Sequence, residues 1–202
     1  MNETKSKIFY TSLELFAEHG TRTVTLGDIA DVVRIKKPSI YNHFENKEML
    51  IKEILQLFCD AAKEFIDELS ERNEKAETFE EVMDNIFHEQ FLSPENPIGF
   101  FGLAIVIKEQ HNLEYAKKCV IDLFYGYIVD HFKESFDRMI EKGMIPPSDT
   151  QMIAWIVAFG ILEINDMRLH QHMGNQLPTD CKKMYDGMRR HISFLLQNGS
   201  SG

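Results

Sequence analysis

The chain has 202 residues, 44% of them apolar and 27% charged, with a formal charge of −10 at pH 7. That length supports the core of one domain or two small ones, and the acidic balance excludes a chain that coats nucleic acid over its whole surface. The charge is uneven: residues 1–48 hold seven basic and seven acidic residues, so residues 49–202 carry the entire excess.

The first helix is predicted over about Glu3–His19, burying Phe9, Leu13 and Phe16, with Gly20 as its C-terminal stop. Thr25 and Asp28 then form a capping-box pattern that starts a second helix at about Leu26. Ile29, Ala30 and Val33 share one face of it. It has to stop near Val33, because Pro38 has no amide hydrogen and is tolerated only in a first helical turn. A third helix is therefore expected from about Lys37 to Phe44. Ile40 and Phe44 point inward, and Lys37, Ser39, Asn42 and His43 point outward, with Tyr41 near the boundary. Between Arg34 and Lys47 there are four basic residues and one acid, Glu45. This is the part of the chain electrostatically fit to meet phosphate, and free amides at a helix start add to the attraction.

Asn46 caps a long fourth helix to about Glu71, followed by a charged link over Glu71–Glu77. Thr78 with Glu81 caps the next helix, to about Leu92, and Ser93–Pro97 is a loop. Further helices are expected to about His111 and over Leu113–Lys142. Gly143 and Pro146-Pro147 break the chain. Ser148 with Gln151 caps a helix to about Met173, ended by Gly174, and a last helix runs from Thr179 or Asp180 to about Gln197. Residues 199–202 are expected to be a disordered tail.

The longest apolar runs, Ile98–Ile107 and Ile153–Leu162, have ten residues each, and a membrane span needs about 20. Both read as buried helix cores, and no signal peptide is evident. Cys59, Cys119 and Cys181 are widely spaced without a metal-ligand pattern, which suits a reducing cytoplasm. Glu163, Asp166 and His170 share a helix face, but a polar contact face or a solvated helix end explains them as well as a metal does, so no metal is expected. Phosphate-cradling glycine loops, nucleophile elbows and paired-cysteine motifs are missing, so neither an enzyme nor a cofactor is expected.

Residues 8–54 resemble the TetR/AcrR family of bacterial transcription regulators. The resemblance rests on Leu15-Phe16-Ala17-Glu18-His19-Gly20, on Thr25 with Ile29 and Ala30, and on Ile40, Tyr41, His43, Phe44, Lys47, Glu48 and Leu50. Two positions depart from the family pattern. Arg34 stands where the family has glycine at the turn, and a left-handed backbone there costs roughly 1 kcal/mol or more. Lys36 replaces the usual small polar cap.

The resemblance implies an all-α fold of about nine helices. A three-helix helix-turn-helix DNA-binding head (residues 1–48) leads into a helical effector-binding and dimerisation body (residues 49–198). It implies a cytoplasmic, homodimeric repressor released from a palindromic operator in double-stranded DNA by an apolar or aromatic small molecule. Lys37, Pro38, Ser39 and Asn42 would face base edges or the adjoining backbone. Thr25, Lys36, Tyr41, His43 and Lys47 would position the head on phosphates, so Lys47→Ala should weaken binding evenly on all sequences. The effector pocket is expected from Phe87, His88, Phe91 and Phe101, with Phe124, Tyr127 and Glu163. The dimer contact is expected from Ala154, Trp155, Ala158, Phe159, Leu162 and Phe194, where small residues permit close helix approach and large ones supply area. Two other functions stay open: an effector-independent regulator controlled by a protein partner, and a helical carrier of apolar ligands without DNA binding.

Overall fold

The computed structural model describes residues 3–87, 92–177 and 180–198, and all regular structure among them is helical. The order is α1 (Glu3–His19), α2 (Leu26–Val33), α3 (Lys37–Ile40), α4 (Lys47–Lys75), α5 (Phe79–Ile86), α6 (Pro97–Glu109) and α7 (Glu114–Cys119). A π-helical stretch, Val120–Ile128, leads into α8 (Val129–Glu141), and α9 (Thr150–His172) and α10 (Cys181–Asn198) follow. Counting α7, the π stretch and α8 as one continuous rod gives nine rods among the described residues.

The chain forms two compact units, and the boundary differs from the expected cut at residue 48. Residues 1–62 and 91–120 make the first unit, residues 63–90 and 121–202 the second. The head thus shares its unit with the first part of α4, with α6 and with α7. In the first unit α1 packs on α2 and on α6, burying Ile8, Phe9, Leu13, Phe16, Ile29, Leu50, Ile54 and Phe58. At Gly102 of α6, an added Cβ would lie 2.7 Å from the Phe58 ring of α4, so only glycine lets these helices approach as they do. In the second unit α9 packs on α8 and α10, around Phe132, Phe136, Ile153, Val157, Ile164, Ile192 and Leu196. An added Cβ on Gly160 would meet Met188 Sδ at 2.2 Å, so this small residue serves an α9–α10 contact within one chain.

Several elements differ from expectation. Helix α3 stops at Ile40, because the amides of His43 and Phe44 both reach the Ile40 carbonyl (each 2.9 Å) and close the ladder there. Helix α4 runs on to Lys75, since Lys142 Nζ donates to the carbonyls of Glu74 (2.9 Å) and Ala76 (2.7 Å) and satisfies its C-terminal end. Helix α5 ends at Ile86, short of Leu92. Asp149, not Ser148, caps α9 by accepting from the Met152 amide (3.0 Å), while the Ser148 hydroxyl donates to the Pro146 carbonyl. Asp180 caps α10 through the Lys183 amide (3.1 Å). The expected tail, residues 199–202, lies outside the described residues. Cys59 and Cys119 are joined in a disulfide, a pairing that their spacing in the chain does not suggest.

Candidate nucleic-acid interface

The interface is built on α2 and α3. The Thr25 side chain accepts from the Asp28 amide (3.2 Å), and the Asp28 carboxylate accepts from the Thr25 amide (2.7 Å), completing the capping box. The Thr25 amide bond is the main reason the Asp28 carboxyl titrates below its ordinary value of 3.8, with smaller help from the nearby Lys37 and Lys47 charges. At the other end of α2, Arg34 is left-handed (φ 60°, ψ 45°). Its amide reaches the Asp31 carbonyl (3.2 Å), and the Ile35 amide reaches the Ala30 carbonyl (2.9 Å). This Schellman arrangement satisfies the last carbonyls of the helix and turns the chain toward α3. Arg34 is the one non-glycine residue with positive φ among the described residues.

Ile40 and Phe44 are buried and anchor α3 from beneath. Lys5 of α1 holds its ammonium 5.0 Å from the Phe44 ring centre and pairs with Glu53 of α4 at 2.7 Å. Within the first unit, Lys36, Lys37, Pro38, Tyr41 and Asn42 are exposed, and Ser39 and His43 are half-buried. Thr25 is exposed, but its hydroxyl is engaged by Asp28.

Lys47, expected to position the head on phosphates, is half-buried. Its Nζ donates to the Thr21 carbonyl (2.8 Å) and the Val24 carbonyl (2.9 Å), so the ammonium is turned onto the α1–α2 turn. Helix α6 grips the same turn from its C-terminal end. The buried Glu109 carboxylate accepts from the Thr21 amide (3.0 Å), the Thr21 hydroxyl (2.7 Å) and the Asn112 side chain (3.3 Å). Lys108 Nζ donates to the Ala17 carbonyl, and Arg22 donates to Asn112 (2.7 Å). Sequence reasoning missed Lys108 and Glu109. Their one visible signal is a charged pair closing the apolar run that ends at Ile107.

Of the expected pocket residues, Phe101 belongs to the first unit, buried with its ring 5.1 Å from Phe100. The others described belong to the second unit. Phe87 is buried edge-on to Tyr185 (5.5 Å), and the Arg168 guanidinium lies 5.3 Å from the centre of that Tyr185 ring. Phe124 is buried. The Tyr127 hydroxyl donates to Asp67, which pushes its pKa up to about 12, and its ring lies 4.2 Å from that of His131. Glu163 is exposed. His88 and Phe91 lie outside the described residues.

Of the expected dimer residues, Ala154 and Ala158 are buried inside the single chain, on the core face of α9. Trp155 stacks on Phe159 (5.2 Å), and Tyr125 joins them at 6.0 and 5.9 Å. Leu162 is half-buried, while Phe159 and Phe194 are 44% and 60% exposed. Met152 and Ile156 are exposed as well, and with Phe159 they form a stripe at helical spacing on α9. His170 lies 3.7 Å from Asp166 and 3.2 Å from Asn175.

Residues 8–54 match the family model described as bacterial regulatory proteins, tetR family. The chain is 41% identical over 56 residues to the HTH-type transcriptional repressor KstR2 of Rhodococcus jostii (strain RHA1), which covers 28% of each chain. It is 31% identical over 143 residues to a protein of Escherichia coli (strain K12) described as a probable acrEF/envCD operon repressor, which covers 71% of this chain and 54% of the relative. The matches thus span about half or less of these relatives. A solved structure from Rhodococcus sp., described as a TetR-family transcriptional regulator, superposes with a TM-score of 0.71 at 14% identity, covering 97% of this chain and 100% of the other. Bacillus subtilis FadR in complex with stearoyl-CoA gives a TM-score of 0.64 at 18% identity, covering 93% and 96%. No helix among the described residues is long and apolar enough to cross a membrane.

Proposed function

We propose that this chain, a member of the TetR family of bacterial transcription regulators, is a homodimeric repressor that reads a palindromic operator and releases it on binding an apolar small molecule. The observation that carries the reading is the split of α3 and its following turn into two sides. Ile40 and Phe44 are buried, while Lys36, Lys37, Pro38, Tyr41 and Asn42 face solvent. Lys37, Pro38, Ser39 and Asn42 meet base edges or the adjoining backbone, and Lys36, Tyr41, His43 and the Thr25 region meet phosphates. Lys47 acts from behind, by holding the α1–α2 turn.

One such head makes few contacts, and two heads about 34 Å apart sum theirs on a palindrome. The exposed Met152, Ile156, Phe159 and Phe194 support pairing through α9 and α10, with Trp155 and Leu162 at the edge of the contact. Burying such a patch in a twin contributes about 25 cal/mol per Å² of apolar surface. An apolar effector is supported by the buried aromatic residues of the body and by the stearoyl-CoA complex of a protein with the same fold. An effector coupled to the head by about 1–3 kcal/mol shifts operator affinity 5–150-fold.

The test is fluorescence anisotropy with DNA from upstream of the chain's own gene, over a salt series, with sedimentation to give the protomer number. Lys37→Ala is expected to weaken binding and to reduce the slope of log K against log salt by about 0.9 for each phosphate no longer neutralised. Binding unaffected by Lys37→Ala and Asn42→Ala together rejects the reading.

A further inference from the structure

Cys59 and Cys119 are 60 residues apart in sequence, yet their Cα atoms lie 6.7 Å apart and their sulfurs are bonded. Cys59 is on α4 and half-buried, and Cys119 is the buried last residue of α7. The two helices run alongside each other here, since the Tyr115 hydroxyl of α7 donates to Gln56 of α4, about one turn before both cysteines. The third cysteine, Cys181, is buried, and its thiol is pushed up by that burial. Thiols in the DNA-bearing compartment are kept reduced, and disulfides that form there are mostly transient and redox-sensing.

Resting on the reading of this chain as a DNA-binding regulator, we propose that Cys59 and Cys119 form a reversible redox switch that lowers operator affinity when oxidised. The half-buried Cys59 meets the oxidant, a hydroperoxide. Its thiolate attacks the terminal peroxide oxygen, giving a sulfenic acid and releasing the alcohol. The Cys119 sulfur then attacks the Cys59 sulfur, and the departing hydroxide takes the second thiol proton as water. The two thiols together lose two electrons to the O–O bond. A cellular dithiol reverses the step by thiol–disulfide exchange.

The mechanical consequence follows from what each helix holds. The first turn of α4 carries Lys47, which binds the Thr21 and Val24 carbonyls. Helix α6, joined to α7 by a short turn, carries Glu109, which binds the Thr21 amide and hydroxyl. Phe58, next to Cys59, is the ring seated on Gly102 of α6. In the dithiol form these helices are held by packing and a few hydrogen bonds, so they can adjust as the head seats on DNA. The disulfide ties α4, twelve residues after Lys47, to the end of α7, ten residues after Glu109, and so couples the helices that carry the two supports and fixes them in the DNA-free arrangement.

The test compares full-length protein treated with cumene hydroperoxide, the same sample after dithiothreitol, and Cys59→Ser and Cys119→Ala variants. Peptide mapping is expected to recover a Cys59–Cys119 cross-link, and the oxidised wild type to bind its upstream DNA at least fivefold more weakly, reversibly. Neither variant should respond to oxidant. Equal or tighter binding by a cross-linked sample overturns the switch, as does failure to form the cross-link. Should the reduced protein bind no upstream fragment, the DNA-binding reading fails, and hydrogen exchange judges the switch separately. Slower amide exchange over residues 20–26 in the oxidised form upholds the mechanical link, and unchanged exchange overturns it.

Discussion

Thr21 gives both its backbone N–H (3.0 Å) and its hydroxyl (2.7 Å) to one carboxylate oxygen of Glu109, 88 residues further along the chain. Both residues are buried, so these bonds are not replaced by water when broken. A helix whose other face is apolar is thereby fastened to the turn that sets the angle between α1 and α2. Glu109→Ala is expected to destabilise the first unit by about 1–3 kcal/mol, the cost of leaving buried donors unpaired. Urea unfolding measures it, and Thr21→Val in the Glu109→Ala background should add little, because the two residues act as one unit.

Lys47 offers a contrast with Lys37. Its charge is directed at the Thr21 and Val24 carbonyls, whereas Lys37 is exposed on α3. Lys47→Ala is expected to lower stability by about 1–2 kcal/mol, a little under the usual range for charge-assisted bonds because the site is half-exposed. The salt dependence of DNA binding should change less than it does for Lys37→Ala. Denaturation and a salt series on both variants separate the two roles.

Arg34 carries the strain of the turn. A left-handed backbone costs a residue with a Cβ about 1–2 kcal/mol, and glycine escapes that but loses chain entropy on folding. Arg34→Gly is therefore expected to stabilise the protein by roughly 0.5–1 kcal/mol. Arg34→Val, with a branched Cβ, should destabilise it. Thermal melting of the three proteins gives the order Gly, Arg, Val.

Gly102 sets two effects against each other. Alanine is the better helix former by about 1 kcal/mol, but its Cβ would lie 2.7 Å from a ring atom of Phe58, which is 1% exposed and has no room to turn away. Overpacking of this kind costs about 1–3 kcal/mol, so Gly102→Ala is expected to be net destabilising. Phe58→Leu in that background should restore part of the stability, as read by denaturant midpoints.

The capping box makes the start of α2 sensitive to acid. The Asp28 carboxyl is held below its ordinary value of 3.8, chiefly by the Thr25 amide. A carboxylate with a lowered folded pKa contributes stability that is complete above the unfolded value and lost as pH falls through the folded one. The start of α2 should therefore loosen below about pH 3.8, the ordinary value, and Asp28→Asn should remove that dependence. An NMR titration following the Thr25 and Asp28 amides reads both.

Much of the head was legible in the sequence because its signals are local. Thr25 and Asp28 are three residues apart, Pro38 forbids one continuous helix, and Gly20 ends α1 with φ 82°. The whole extent of α2 follows from these signals. What stayed hidden depends on partners distant in sequence. Lys47 looks like any basic residue beside the cationic helix α3 until Thr21 and Val24 are brought to it, and Glu109 looks like a solvated helix end until Thr21 covers it. Ala154 and Ala158 show the same limit on α9. Small size marks a close approach, but spacing alone does not tell whether the neighbour is the same chain or a twin.

The π-helical stretch Val120–Ile128 sits in a rod whose buried residues step from Leu123 and Phe124 to Ile128 and Val129, then to Phe132 and Phe136. The step of five from Leu123 to Ile128 suits i→i+5 bonding. With ordinary spacing, each residue added or removed rotates everything downstream by about 100°. Wide turns make this segment a store of slack: losing one residue between 120 and 128 lets it tighten into an α-helix and keep Phe132 and Phe136 facing the core. The same deletion within α9 would swing Ile164 and Leu169 out into water.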